Sequence, residues 1–229
     1  MTMLTQHRLL KDYVKTILET DIHSLIVYGR SGLGKTHIVL ETIKDLGLRE
    51  DRNFMYITGI ITPVKLYEVL ETCRIMEAPK LFIFDDIEGI MANKGSVAIL
   101  KSSLWEARGK RIVSYLTSRR DDDRKFDFDG KIILITNTLK QNSILGSAII
   151  DRSLYYNIEL TPEVICDYLE NNLENIYKNI DSEDRIIVWS KVKRFIDSPN
   201  FSLRTVDRAF KLYKNNKENW YELFYNSMK

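Results

Sequence analysis

Over the first two thirds of the chain, short apolar runs alternate with stretches whose apolar residues recur every three or four positions, and the two periods specify different elements. The runs Ser24–Tyr28 (SLIVY), Asn53–Thr58 (NFMYIT), Lys80–Asp85 (KLFIFD), Lys131–Thr136 (KIILIT) and Tyr155–Leu160 (YYNIEL) are short and rich in β-branched and aromatic residues, so they predict buried strands. Between them the helical period predicts His7–Glu19, Thr36–Leu46, Pro63–Arg74 and Val97–Ala107, with Val64, Leu66, Tyr67 and Leu70 forming the apolar face of the third. Alternation of this kind predicts an α/β fold, a five-stranded parallel sheet with helices on both faces.

Two segments depart from the alternation. Residues 111–130 carry two β-rich arms around a wholly charged tip from Arg119 to Lys125, which predicts a β-hairpin inserted before the fourth sheet strand. After Thr161-Pro162, a helix-start signal with proline at the first helical position, strand patterns stop. Helices are expected near 162–177, 183–196, 202–214 and 216–227. The domain expectation is therefore a core over residues 1–160 and a small all-α lid over 161–229.

Composition narrows the function classes. With 34 Lys+Arg against 32 Asp+Glu the formal charge is +2, so any contact with nucleic acid must be local rather than driven by a global basic field. Cys73 and Cys166 are the only cysteines, and His7, His23 and His37 the only histidines; no spacing among them fits a zinc site or a disulfide framework. Arg8, Lys11, Asp12 and Lys15 interrupt the apolar residues of the N-terminal stretch, so neither a signal peptide nor a membrane span is expected, and a soluble cytoplasmic protein is.

The sharpest chemical signal is Gly29-Arg30-Ser31-Gly32-Leu33-Gly34-Lys35-Thr36, which fits G-x-x-x-x-G-K-[ST] between a predicted strand and a predicted helix. By average residue usage the pattern arises by chance in about one chain in a hundred of this length, and the correct flanks lower that further. Glycines let the backbone turn its N–H groups inward around phosphates. Lys35 would reach the β and γ phosphates of ATP, and the Thr36 hydroxyl would ligate Mg²⁺.

A phosphate loop of this kind needs an acid at the end of a neighbouring strand, and Asp85, after four apolar residues, meets that need as a metal-site residue. The following Asp86 and Glu88 are alternatives for orienting the attacking water; either can instead cap the next helix. Asn137, ending the run KIILIT, is placed to hydrogen-bond the γ-phosphate and that water, although asparagine is also a common turn residue. Neither Asn93-Lys94-Gly95-Ser96 nor Asn137-Thr138-Leu139-Lys140 supplies the aspartate of a guanine-binding tetrad, so ATP rather than GTP is the expected nucleotide.

Taken in order, GRSGLGKT, LFIFDD, IILITN, AIIDRS and FSLRTVDRAF resemble the AAA+ ATPase superfamily over roughly residues 24–214. The resemblance implies a sensor 1 role for Asn137, an arginine finger at Arg152 and a nucleotide-sensing sensor 2 arginine at Arg204. A double aspartate in place of Asp-Glu is similar to the replication-initiator and helicase-loader branch. A hairpin before the sensor 1 strand resembles the branch of branch-migration and replicative helicase motors. Gly59, Thr62-Pro63, Leu66-Tyr67, Asp85-Asp86, Leu100-Lys101, Arg111-Ile-Val-Ser114, Phe126-Asp-Phe128-Asp-Gly130 and Thr136-Asn137 are similar to small AAA-like ATPases of bacteriophages and mobile elements.

An arginine finger implies a homo-oligomer, ring or filament, since its target is a neighbour's phosphate. Arg119, Arg120, Arg124 and Lys125 of the hairpin are candidates for gripping a DNA backbone, though Asp121, Asp122 and Asp123 interrupt them and a solvated turn accounts for them equally well. The expected function is an ATPase of a phage- or plasmid-type DNA-replication or DNA-remodelling system, a loader or motor. The alternatives are a protein-remodelling ATPase acting on a partner protein, and a weakly hydrolysing switch that assembles on ATP.

Overall fold

The computed structural model describes residues 4–86, 88–116, 124–137, 147 and 149–229. Its elements run α1 (Thr5–Glu19), β1 (Ser24–Tyr28), α2 (Lys35–Asp45), β2 (Phe54–Thr58), α3 (Pro63–Glu71), β3 (Leu81–Asp85), α4 (Glu88–Ala92), α5 (Lys94–Leu104), β4 (Ile112–Tyr115), β5 (Arg124–Asp127), β6 (Lys131–Thr136) and β7 (Leu154–Asn157). Then come α6 (Pro162–Asn172), α7 (Ser182–Val192), α8 (Leu203–Asn215) and α9 (Trp220–Met228). Among the described residues no helix is long and apolar enough to cross a membrane.

Five strands form one sheet in the order β2-β3-β6-β1-β7, every pair parallel. In the central strands β1, β3 and β6 the apolar runs are continuous because both faces are covered, and alternate residues go to opposite cores. Ile26, Phe82, Phe84, Ile132 and Leu134 pack with Leu66, Leu70, Val97 and Leu100 of α3 and α5. Leu25, Val27, Leu81, Ile83, Ile133 and Ile135 pack on the other face with Leu10, Val14 and Ile17 of α1 and Ile38, Val39 and Ile43 of α2. This is the expected α/β architecture.

Local differences from the sequence reading have local causes. Helix α5 begins at Lys94 rather than Val97, because the Asn93 side chain accepts from the N–H groups of Gly95 and Ser96 and so caps it. Strand β7 stops at Asn157; Ile158 and Leu160 are buried but lie outside the ladder. Val64, expected on the buried face of α3, is 40% exposed, while Leu66, Tyr67 and Leu70 are buried.

The inserted segment is an antiparallel hairpin, β4 with β5, pairing Tyr115 with Arg124 and Ser114 with Lys125. Arg124 and Lys125 therefore belong to a strand and not to the charged tip. Phe126 anchors that strand, packing edge-on to Tyr67 with ring centroids 5.1 Å apart, and the ladder carries its register back to Arg124. Arg119, Arg120 and Asp121–Asp123 lie outside the described residues. Buried Arg111 secures the base of the hairpin by donating to the carbonyls of Ser103 (3.1 Å) and Gly130 (2.8 Å), its guanidinium 5.1 Å from the Phe128 ring centroid. Burial lowers its pKa from the ordinary arginine value.

By compactness the chain divides into two units, Leu9–Gly29 with Lys35–Asn157, and Met1–Arg8 with Arg30–Gly34 and Ile158–Lys229. The second holds the C-terminal helices. Thr161 and Ser202 cap α6 and α8 by accepting from Val164 N–H and Thr205 N–H. Its core is aromatic: Tyr177 stacks on Phe210 at 3.9 Å, Tyr213 meets Trp220 edge-on at 5.6 Å, and Phe224 is fully buried. Helix α9 turns Trp220 and Phe224 inward and leaves Leu223 and Tyr225 exposed.

Candidate functional site

Parallel pairing brings the ends of three strands to one level. Tyr28 of β1 is opposite Thr136 of β6, and Asp85 of β3 is opposite Ile135, so Gly29, Asn137 and Asp85-Asp86 emerge side by side. Polar side chains at carboxyl ends of parallel strands converge in this way because the ladder fixes their depth.

Lys35, the first residue of α2, is buried, and its ammonium donates to the Gly29 carbonyl at 2.6 Å and to Asn137 Oδ1 at 3.0 Å. The Asn137 amide in turn donates to Asp86 Oδ1 at 3.3 Å. Thr36 donates its hydroxyl to Asp85 Oδ2 at 2.7 Å, and the Asp86 N–H reaches Asp85 Oδ1 at 3.0 Å. The sequence candidates Lys35, Thr36, Asp85, Asp86 and Asn137 therefore form one connected group. The Glu88 side chain lies outside the described residues.

Backbone geometry supports the loop reading. Gly29, Gly32 and Gly34 have φ of 144°, 81° and 85°, values that side chains disfavour and that a loop with inward N–H groups requires. Asp86 shares this region at φ 57°, an uncommon conformation for a non-glycine residue.

Within the other unit, residues 30–34 pack against the start of α8. A Cβ at Gly32 would lie 2.6 Å from Ser202 Oγ, and one at Gly34 would lie 3.3 Å from His7 Nε2. His7 is hydrogen-bonded through Nε2 to the Leu33 carbonyl at 2.8 Å, and Arg30 donates to the carbonyls of Pro199 (3.3 Å) and Phe201 (3.0 Å). Arg204 donates to Ser31 Oγ at 2.9 Å. Arg30, Ser31, Gly32, Ser202, Arg204 and Arg208 line a cleft of about 370 Å³.

Arg152 lies apart from this group. β7 aligns Leu154 with Leu25, so Arg152 sits at the start of β1 and Gly29 at its end, about 20 Å away at the usual strand rise. Its carbonyl accepts from Ser24 Oγ at 3.1 Å, and its guanidinium lies over the ring of Trp105, 4.6 Å from the centroid. Trp105 is 55% exposed.

The residue that sequence reasoning missed is Tyr56. On β2 its hydroxyl donates to Asp85 Oδ2 at 2.8 Å. Burial, with the hydrogen bond to Asp85 and the carboxylates around it, pushes its pKa upward, so the phenol stays a donor.

The residues present suit a magnesium nucleotide: a buried ammonium, glycines in the left-handed region, and a hydroxyl beside a carboxylate, an oxygen donor set proper to a hard cation that retains waters and phosphate ligands.

The sequence pattern of the ATPase family associated with various cellular activities (AAA) matches residues 25–156. An uncharacterized 36.7 kDa protein from the nrdC-mobD intergenic region of Enterobacteria phage T4 is 26% identical over 230 aligned positions, which cover 90% of this chain and 68% of that protein. The chromosomal replication initiator protein DnaA of Buchnera aphidicola is 25% identical over 214, covering 83% of this chain but 45% of the initiator. Among solved structures, the Aeropyrum pernix ORC1 protein in complex with DNA matches 97% of this chain and 64% of its own with a TM-score of 0.57; at 13% identity that likeness is one of fold.

Proposed function

The chain belongs to the ATPase family associated with various cellular activities, and from that premise we propose that it binds and hydrolyses ATP with magnesium, in a homo-oligomer that acts on DNA. The observation that carries this reading is the hydrogen-bonded group Lys35–Asn137–Asp86 beside Thr36–Asp85 at the ends of adjacent parallel strands.

Each residue then has a role. Residues 29–34 cradle the phosphates, and Lys35 gives up its bonds to Gly29 and Asn137 to meet the β and γ phosphates. Thr36 and Asp85 would hold magnesium, which would supply positive charge against the negative charge of the phosphoryl group. Asp86 orients the attacking water, with Asn137 joining it to the γ-phosphate. Arg204 senses the nucleotide from the helical lid, residues 161–229.

Arg152, at the far end of β1 from Gly29, acts on the nucleotide of a neighbouring subunit, as its distance from its own site favours. Action on DNA rests on the likeness to a replication initiator, and on Arg124 and Lys125, both exposed on β5. We place the protein in the host cytoplasm of a phage or plasmid system, as a loader or motor.

The test is the ATPase rate across protein concentration, with and without single- and double-stranded DNA. The expected result is turnover that rises with both, DNA stimulation falling as salt rises. Turnover indifferent to DNA at low salt would favour a partner protein as the substrate, and ATP-driven assembly without turnover would favour a switch.

A further inference from the structure

Three donors converge on the Asp85 carboxylate, and only one of them, Thr36, belongs to the phosphate loop. Thr36 and Tyr56 hydroxyls share Oδ2 at 2.7 and 2.8 Å, while the Asp86 N–H takes Oδ1 at 3.0 Å. Donors on both oxygens fix the plane of the carboxylate as well as its position.

Register explains how a residue from β2 takes part. Thr58 is the partner of Asp85 in the ladder, and Tyr56, two residues earlier, shares its face, so the long phenol reaches forward along the sheet to the acid. Tyr56 also packs against the apolar layer beneath the sheet. A phenylalanine would supply that packing equally well, so the hydroxyl is there for Asp85.

We propose that Tyr56 is a positioning residue of the magnesium site, holding Asp85 Oδ2 in place while Thr36 commits its oxygen to the metal. The inference rests on the reading of Asp85 as the metal acid. Tyr56 stands on a different strand from the loop, so its bond to Asp85 does not depend on what the loop binds. A chain without it would carry the same acid with one fewer restraint and would spend metal-binding energy on fixing it.

The test uses Tyr56→Phe, which removes one oxygen and no packing, and a fluorescent ATP analogue as the probe. Affinity is measured in EDTA and against increasing Mg²⁺, with Asp85→Asn alongside. Tyr56→Phe is expected to raise the half-saturating Mg²⁺ about tenfold, the effect of one lost hydrogen bond to a charged group, while leaving affinity in EDTA unchanged. Asp85→Asn should raise the Mg²⁺ requirement further. If Asp85→Asn shifts it and Tyr56→Phe does not, Tyr56 is no positioning residue. Equal losses with and without metal would reduce Tyr56 to packing and overturn the proposal too. If Asp85→Asn itself leaves the Mg²⁺ dependence unchanged, the metal-acid reading is what fails.

Discussion

Asp86 explains a choice of residue that the sequence leaves open. Its backbone lies at φ 57°, where aspartate and asparagine are tolerated far better than longer side chains. An aspartate at this position is thus matched to the turn after β3. Asp86→Asn keeps that backbone, so it is expected to bind ATP and Mg²⁺ normally and to lose turnover, whereas Glu88→Gln should turn over. The reverse pattern in steady-state ATPase assays would transfer the role to Glu88. Asp86→Glu should lower stability by about 1 kcal/mol in urea unfolding, the cost of strain at that position. The loop, Lys35, Thr36, Asp85 and Asn137 were legible because motif and strand end coincide in the sequence. Tyr56 was not, because its partner lies 29 positions away and only the β2–β3 register joins them.

Among the elements, legibility followed the strength of the apolar period. The central strands β1, β3 and β6 were readable because both faces are buried and the runs are unbroken, the edge strands β2 and β7 because they are rich in β-branched and aromatic residues. The start of α5 was misplaced by three residues because Asn93-Lys94-Gly95 has no apolar period; the cap that starts the helix is a single side-chain oxygen. At the hairpin, composition suggested a tip through Lys125, but aromatic packing at Phe126 draws Arg124 and Lys125 into β5. Just beyond, Gly130 sits where a Cβ would lie 2.8 Å from both Phe128 Cζ and Phe82 Cε2, rings whose centroids are 5.5 Å apart. Gly130→Ala is expected to cost about 1–3 kcal/mol by overpacking. Differential scanning calorimetry would register it, and an unchanged melting temperature would mean that the rings have room to yield.

For the whole molecule, the proposed role of Arg152 requires each active site to be completed by a neighbouring subunit. Lys35, Thr36, Asp85, Asp86 and Asn137 are together, whereas Arg152 lies at the other end of β1 with its guanidinium over Trp105. The family resemblance gave Arg152 its role from order along the chain alone. The separation of Arg152 from Gly29 is a property of the parallel pairing of β1 with β7, which no linear motif encodes. Lys35→Ala and Arg152→Ala should each be nearly inactive, the first through lost ATP binding and the second with ATP binding intact, since a finger supplied in trans is worth about 10³–10⁵ in rate. The most direct measurement is the ATPase rate of the two variants mixed. In a mixed assembly some sites pair an intact Lys35 with a neighbour's intact Arg152, so turnover should reappear on mixing and grow with total protein concentration. A mixture no more active than its separate components, or an Arg152→Ala protein with full activity at every concentration, would contradict the account and leave an ATPase complete within one chain.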